Sequence, residues 1–346
     1  MIRFLPLGGA DEVGASCFYL NIDGTGILLD SGIHPRKTGK ESLPKFELIE
    51  NEPLDFLFIS HAHQDHIGAL PFLIKKFPHV KIYTTKQTLE VAKLTLHNTV
   101  RITNEQMTGT SDQILYDHDD IDLILRSITE VEYQKSIEIC GLRHSSNDVI
   151  AVTFYDAGHI LGSASILIEY QNRRIFYTGD IKLSSQMLMD GAVLPDKPVD
   201  VLITESTYAA TESEEIGTVK TEGEKLIKEA NRIIHTCGSV LIPVFSLGKM
   251  QEILMFLHNK MRSGKLSETE IFTGGISRKI AHLYDTNRFL VNRKYDSIKL
   301  SEIEQFKFRY CKSRLLQKAF LYCACIKRYD AGEYYVEQTD EILAAS

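Results

Sequence analysis

The stretch His-Ala-His-Gln-Asp-His (61–66) sets three imidazoles and a carboxylate in six consecutive positions. It directly follows Leu-Asp-Phe-Leu-Phe-Ile-Ser (54–60), a run apolar nearly throughout, which reads as a strand covered on both faces. In extended backbone, residues two apart point to the same side, so His61 and His63 can reach one ion together. Asp65 and His66 fall where the strand gives way to a helix and can turn toward a second ion. A lone histidine is usually a satisfied structural residue, but such a cluster would be costly without a cation to offset it. Two later positions repeat the logic at strand ends beside glycine: His159 after Ala-Val-Thr-Phe-Tyr-Asp-Ala-Gly, and Asp180 after Arg-Ile-Phe-Tyr-Thr-Gly. An aspartate in a Thr-Gly-Asp turn is more often a turn former than a ligand, so these two count for the company they keep. The resulting set gives the imidazoles of His61, His63 and His159 to one ion. Asp65 and His66 begin a second site, with Asp180 placed to bridge both. Imidazole and carboxylate ligands favour zinc, with manganese or iron the alternatives at the more oxygen-rich site. Asp30, in Gly-Ile-Leu-Leu-Asp-Ser-Gly, ends another apolar strand. It reads either as a carboxylate that orients a ligating histidine or as an ordinary turn aspartate.

Two metals held roughly 3.5–4 Å apart are a recurring device for hydrolysing phosphate esters. Such chemistry needs no serine or cysteine nucleophile, and the chain contains no Gly-x-Ser-x-Gly elbow. Composition fits a globular protein: 346 residues, 43% hydrophobic and 25% charged. No apolar run reaches the ~18 residues of a membrane span, and the N-terminus lacks a secretory pattern, so a cytoplasmic protein is expected. The six cysteines, including Cys237, Cys311, Cys323 and Cys325, form no CxxC pair and read as reduced thiols. A net charge of −7 argues against a large basic nucleic-acid surface, but a metal centre with a local basic lining remains compatible with a nuclease.

The elements that must position these residues are mostly strands in the first two hundred residues. Residues 1–33 read as strands joined by turns, with Asp-Gly in Asn-Ile-Asp-Gly-Thr-Gly as a hairpin signal. A helix follows the 61–66 cluster, Lys-Ile-Tyr-Thr-Thr is the next strand, and 86–101 are helical. Residues 102–135, polar and acidic, read as helices and loops. Strands resume at 149–158, 164–180 and 199–206. A helix over 218–236, the strand Ser-Val-Leu-Ile-Pro-Val-Phe and an amphipathic helix from about 247 follow. After about residue 290 the pattern blurs. The alternation predicts a layered α/β fold.

The series Asp30, HxHxDH (61–66), His159 and Asp180 resembles the successive metal motifs of the metallo-β-lactamase superfamily, in order and spacing, over about residues 1–206. Three further stretches resemble its β-CASP branch. They are Thr-Glu-Ser-Thr-Tyr (204–208), Gly-His-Ile-Leu-Gly-Ser-Ala-Ser (158–165) and Ile-Pro-Val-Phe-Ser-Leu-Gly-Lys-Met-Gln-Glu (242–252), where Lys249 stands in place of the commoner arginine. The resemblance implies an αββα sandwich with a partial inserted β-CASP α/β domain, a two-zinc site, and RNA as substrate. It makes Asp65 both a ligand and a proton acceptor for the attacking water, and gives Glu205 the task of orienting a general-acid histidine. The family's late motifs, which carry that histidine and a further metal ligand, have no match here. The last histidine is His282.

The expected organisation is therefore a metallo-β-lactamase-like domain over 1–206, a partial β-CASP-like domain over 207–295, and a divergent tail over 296–346. The ending is expected to be a truncation rather than a set of replacement strands, with one zinc site complete and the second short of a ligand. The leading function is a zinc-dependent phosphodiesterase acting on single-stranded RNA, as endoribonuclease or 5′ exonuclease. The alternatives are a weak or inactive relative that binds RNA or a partner protein, and a small-molecule hydrolase such as a thioesterase or lactamase. No membrane is expected as partner. Missing closing strands would leave unpaired sheet edges that seek partners, so self-association into a homo-oligomer is expected, with the apolar tail residues Phe306, Leu315, Leu316, Phe320, Leu321 and Tyr322 either covering the exposed surface or aggregating.

Overall fold

The computed structural model describes residues 2–107, 116–144, 148–207, 209–210, 218–236, 238–303, 320–324, 326–328 and 334–336. Tyr208, Cys237, Phe306, Cys311, Leu315, Leu316 and Cys325 lie outside the described residues. The chain divides into two compact units, Met1–Ser184 with Gly191–Thr207, and Ser185–Asp190 with Tyr208–Ser346.

The first unit opens with an antiparallel meander: β1 (Ile2–Gly8), β2 (Cys17–Ile22) and β3 (Thr25–Leu29), with β2 and β3 joined by a two-residue Asp-Gly turn. β4 (Phe56–Phe58), β5 (Lys81–Thr85) and β6 (Ile128–Val131) then add in parallel to complete a six-stranded sheet in sequence order. The connections carry the short helix α1 (Gln64–Ile67), α2 (Leu70–Lys76), α3 (Lys86–Met107) and α4 (His118–Ser127). α4 starts in a capping box, with the Asp117 side chain accepting from the Asp119 and Asp120 backbone N–H groups. The second sheet runs β7 (Ile137–Ile139), β8 (Ile150–Asp156), β9 (Ala164–Tyr170), β10 (Arg173–Tyr177) and β11 (Val201–Ile203), antiparallel except for the parallel pair β10 and β11.

The two sheets face each other over one apolar core. Leu20, Ile27, Leu29, Phe56 and Phe58 from the first meet Ile150, Val152, Phe154, Ile166 and Ile168 from the second. Each such side chain is worth about 1.5–3 kcal/mol when fully buried, so the pairing of the sheets is set mainly by this core. β6 and β7 fall in stretches that the sequence pattern does not mark as strands. Each is four residues or fewer, and their exposed glutamates hide the few inward positions, so no period is visible.

In the second unit, α5 (Val219–His235) is capped by the Thr218 hydroxyl, which accepts from the Thr221 N–H. β12 (Val240–Pro243), α6 (Lys249–Arg262), β13 (Glu270–Thr273) and α7 (Gly275–Thr286) follow. β14 (Phe320–Ala324) lies between β12 and β13, parallel to both, so the segment after 296 contributes the central strand of this unit's three-stranded sheet. Among the described residues no helix is long and apolar enough to cross a membrane.

Candidate metal centre

Every candidate ligand named from the sequence lies in the first unit, past the C-terminal end of a strand, the 61–66 cluster after β4, His159 after β8 and Asp180 after β10; Asp30, read as an orienting or turn carboxylate, follows β3 in the same way. His63 is the N-cap of α1, so Asp65 and His66 occupy its first turn. His61 and His63 therefore follow the strand, whereas Asp65 and His66 belong to the helix. The backbone packs tightly to achieve it. Asp30, fully buried, adopts a left-handed φ of 62°. Its N–H bonds the Phe58 carbonyl at 2.9 Å, while the Ser31 N–H bonds the His66 carbonyl at 2.8 Å. A Cβ on Gly32 would sit 1.6 Å from the Asp65 carbonyl oxygen, so only glycine lets the two loops approach. Gly179, with φ 54°, turns the chain after β10, where a Cβ would crowd Ser60.

His61, His63, His159 and Asp180 each offer one ligand atom, and these atoms all lie within 4.8 Å of one another. His63 Nδ1 is 3.0 Å from His61 Nε2 and 3.2 Å from His159 Nε2. Asp180 Oδ2 completes the group, 3.8 Å from His61 Nε2 and 3.5 Å from His159 Nε2. Its other oxygen, Oδ1, turns to His66 Nε2 at 3.2 Å, and Asp65 Oδ2 lies 4.0 Å from the same nitrogen. Asp180 therefore presents one oxygen to each group of histidines.

The donor set suits cations. Three imidazole nitrogens converge, and one shared proton can satisfy at most one of the contacts between them. Burial pulls His61 well below its ordinary pKa, reinforced by the neighbouring His66, His63 and His159, so it is neutral. His66 goes the other way. Burial opposes its charge, but hydrogen bonds to Asp180 and Asp30 and the charges of both carboxylates outweigh it and push the imidazole well above its ordinary value. For Asp180, burial raises the carboxyl, but the His66 hydrogen bond and the neighbouring imidazoles win and hold it far below the usual range. The proton on His66 thus occupies a place that the local field reserves for positive charge. The chain carries a His/Asp metal-binding cluster.

Behind the cluster, Asp30 Oδ2 accepts from His66 Nδ1 at 2.8 Å, which puts this carboxylate in the orienting position rather than in a plain turn. Glu205 accepts from the Ile181 N–H at 3.0 Å and the Thr207 hydroxyl at 2.5 Å, so its carboxylate braces the backbone immediately after Asp180. His282 is exposed on α7 of the second unit. The sequence reading missed Ser60 and Tyr177, both buried, whose hydroxyls reach Asp30 Oδ2 at 2.6 Å each. The available signal was their place at strand ends, one residue before the histidine cluster and three before Asp180.

A model of the metallo-beta-lactamase superfamily domain matches residues 19–208, and the chain belongs to that superfamily. Its relatives place it on the β-CASP branch. It is 34% identical over 334 residues to endoribonuclease ysh1 of Schizosaccharomyces pombe, covering 92% of this chain and 40% of that protein. It is also 34% identical over 316 residues to cleavage and polyadenylation specificity factor 73 of Drosophila melanogaster, covering 90% of this chain and 43% of the relative. An RNase J-like protein of Methanocaldococcus jannaschii is 36% identical over 268 residues, or 78% and 57% of the two chains. The chain thus spans about two-fifths to three-fifths of these relatives' length. A solved protein of unknown function from Enterococcus faecalis shares the fold, with a TM-score of 0.51 at 15% identity over 94% of this chain and 77% of that one.

Proposed function

We propose that this chain is a zinc-dependent phosphodiesterase that cuts single-stranded RNA, holding two zinc ions of unequal affinity. The observation that carries this reading is Asp180, with one oxygen on the His61–His63–His159 group and the other on His66. A carboxylate shared in this way can serve two cations held side by side, the spacing on which two-metal hydrolysis relies. The relatives, endoribonucleases and an RNase J-like protein, support RNA as the substrate class.

When bound, such cations supply Lewis acidity toward a phosphate and lower the pKa of nearby water. His61, His63 and His159 would hold the tighter ion, His61 through a nitrogen that burial keeps neutral. His66, Asp65 and Asp180 would hold the weaker one, because His66 must first give up its proton. Asp65, whose side chain is 31% exposed, would accept the proton of the attacking water on a carboxylate oxygen. Glu205 would keep Asp180 in register by fixing the Ile181 N–H that follows it.

The test pairs metal analysis with cleavage of single-stranded RNA in competition with small esters. Zinc-dependent RNA cleavage with no ester turnover is expected, and 5′-labelled against circular RNA separates exonuclease from endonuclease. Preferential ester hydrolysis would assign the site to small molecules. Bound zinc with no cleavage of either substrate would leave a binding protein.

A further inference from the structure

The ligands of the metal centre come from two different sheets. The cluster at 61–66 follows β4 of the first sheet, whereas His159 and Asp180 follow β8 and β10 of the second. The core that joins the sheets is apolar, and apolar packing is non-directional. Tolerances acceptable to packing are too loose for ligands that must meet within a few tenths of an ångström. Something directional must set the spacing between the sheets at this end.

We propose that Tyr177 and Ser60 are positioning residues that hold both halves of the metal centre in register through the single carboxylate of Asp30. Tyr177 is the last residue of β10, three before Asp180, and its hydroxyl donates across the sheet interface to Asp30 Oδ2 at 2.6 Å. The Asp30 carboxylate is anchored to the first sheet's side at both oxygens. The Ser60 N–H donates to Oδ1 at 2.7 Å, and the Ser60 hydroxyl donates to Oδ2 at 2.6 Å. All three residues are at most 3% exposed, so water does not compete for these bonds.

The same network orients both sets of imidazoles. The Ser60 hydroxyl spends its one proton on Asp30, so toward His61 Nδ1, 3.0 Å away, it can only accept. That requires the proton of His61 on Nδ1 and leaves Nε2 bare, facing His63 and Asp180. His66 donates from Nδ1 to Asp30 at 2.8 Å, which turns Nε2 toward the other oxygen of Asp180. One buried carboxylate thereby fixes the tautomer of His61 through Ser60, fixes that of His66 directly, and is itself tied through Tyr177 to the strand that delivers Asp180. The two metal sites are coupled by construction. A disturbance of Asp30 reaches both, whereas loss of the Ser60 hydroxyl reaches the His61 side first.

This rests on reading His61 and His66 as metal ligands, and its test reads metal binding rather than RNA cleavage. Tyr177→Phe keeps the ring, which packs 5.6 Å from Phe18, and removes only the hydroxyl. Zn2+ and Co2+ are titrated into the chelator-treated full chain of the parent, Tyr177→Phe and Ser60→Ala, with the Co2+ absorption bands reporting ligand geometry. Loss of an orienting partner typically lowers metal affinity 10–100-fold. Tyr177→Phe is expected to weaken both binding steps by about that factor and to shift the Co2+ bands. Ser60→Ala is expected to weaken the tighter step more than the other. Both variants should keep the parent's metal-free circular dichroism. If Tyr177→Phe does not fold, Ser60→Ala decides by the same criterion. Affinities within about twofold of the parent, with unchanged Co2+ spectra, would overturn the assignment. A parent that binds neither cation would instead sink the metal reading beneath it.

Discussion

Both units bury carboxylates, and they use them in opposite ways. In the second unit, Asp285 is 2% exposed and accepts from the Leu300 and Ser301 N–H groups at 2.7 and 2.9 Å, with the Arg293 guanidinium 3.7 Å away. Glu252, on α6, accepts from the Leu188 and Met189 N–H groups at 2.8 and 3.0 Å. Both carboxylates accept chiefly from backbone N–H groups. In the first unit, Asp30 is as deeply buried, but two of its contacts lead to imidazoles: His66 directly, and His61 through Ser60. The far nitrogen of His61 meets His63 Nδ1 and Asp180 Oδ2, and that of His66 meets Asp180 Oδ1. A buried carboxylate that ends in backbone N–H groups closes a fold. One that ends in imidazoles whose far nitrogens converge on a second carboxylate opens a site.

That contrast predicts where substitutions strike. The largest effect belongs to His63→Ala, because His63 Nδ1 is the nitrogen that both His61 and His159 approach. Elemental analysis should show most of the metal lost, a greater loss than the roughly 10–100-fold in affinity that an orienting partner is worth. Unchanged metal content would mean that the converging imidazoles do not hold the ion.

Next comes Asp65→Asn, which keeps the size and removes the proton acceptor. RNA cleavage should fall by roughly 10²–10⁴-fold, the usual worth of general base catalysis, while the tighter metal stays bound. Parent-like cleavage at parent metal content would assign the proton to another group.

A subtler consequence is pH dependence. In the metal-free protein His66 holds its proton well above the ordinary imidazole value, so its favourable contacts contribute stability fully below that ordinary value and lose it as pH rises through the raised one. A metal ion must displace that proton. Affinity at the weaker site should therefore rise about tenfold per pH unit through neutrality and level off above the raised pKa. His61, held neutral, adds no such dependence to the tighter site. Calorimetry in buffers of different ionisation enthalpy should count about one proton released by the second metal and none from His61; zero release on the second step contradicts the electrostatics described above.

The smallest effect tests the closed half of the contrast. Burial raises the Glu252 carboxyl above its ordinary value despite the backbone donors from Met189 and Leu188, so the neutral amide of Glu252→Gln is a mild replacement. Thermal unfolding should report a loss of about 1 kcal/mol, the worth of an ordinary hydrogen bond, with metal content untouched. A drop in bound metal would mean that the second unit supports the centre in a way its hydrogen bonds do not reveal.

Much of this was legible in the chain because it is written locally. The turn between β2 and β3 is announced by Asp-Gly, the strand before His61 by its apolar run, and α6 by its apolar spacing. β6 and β7 were not, being too short for a period. Nor was the place of β14, whose pairing with β12 and β13 is contact between segments about fifty to eighty residues apart, which no local pattern encodes. Around the metal centre the divide is the same. The crowding of imidazoles at 61–66 is a property of one strand end and the helix after it. The tasks of Ser60 and Tyr177 depend on a hydroxyl crossing from one sheet to the other.

The sequence marks which side chains are candidate cation ligands and on which strand ends they sit, because residue type and backbone period are local. Only the tertiary structure decided that Asp180 shows one oxygen to each group of histidines, that Glu205 braces the Ile181 backbone, and that Asp30 answers to Tyr177. Each of those facts is a distance between strands of different sheets or between distant turns. Such distances are set by how an apolar core packs and how buried polar groups find partners, and neither exists until the chain has folded.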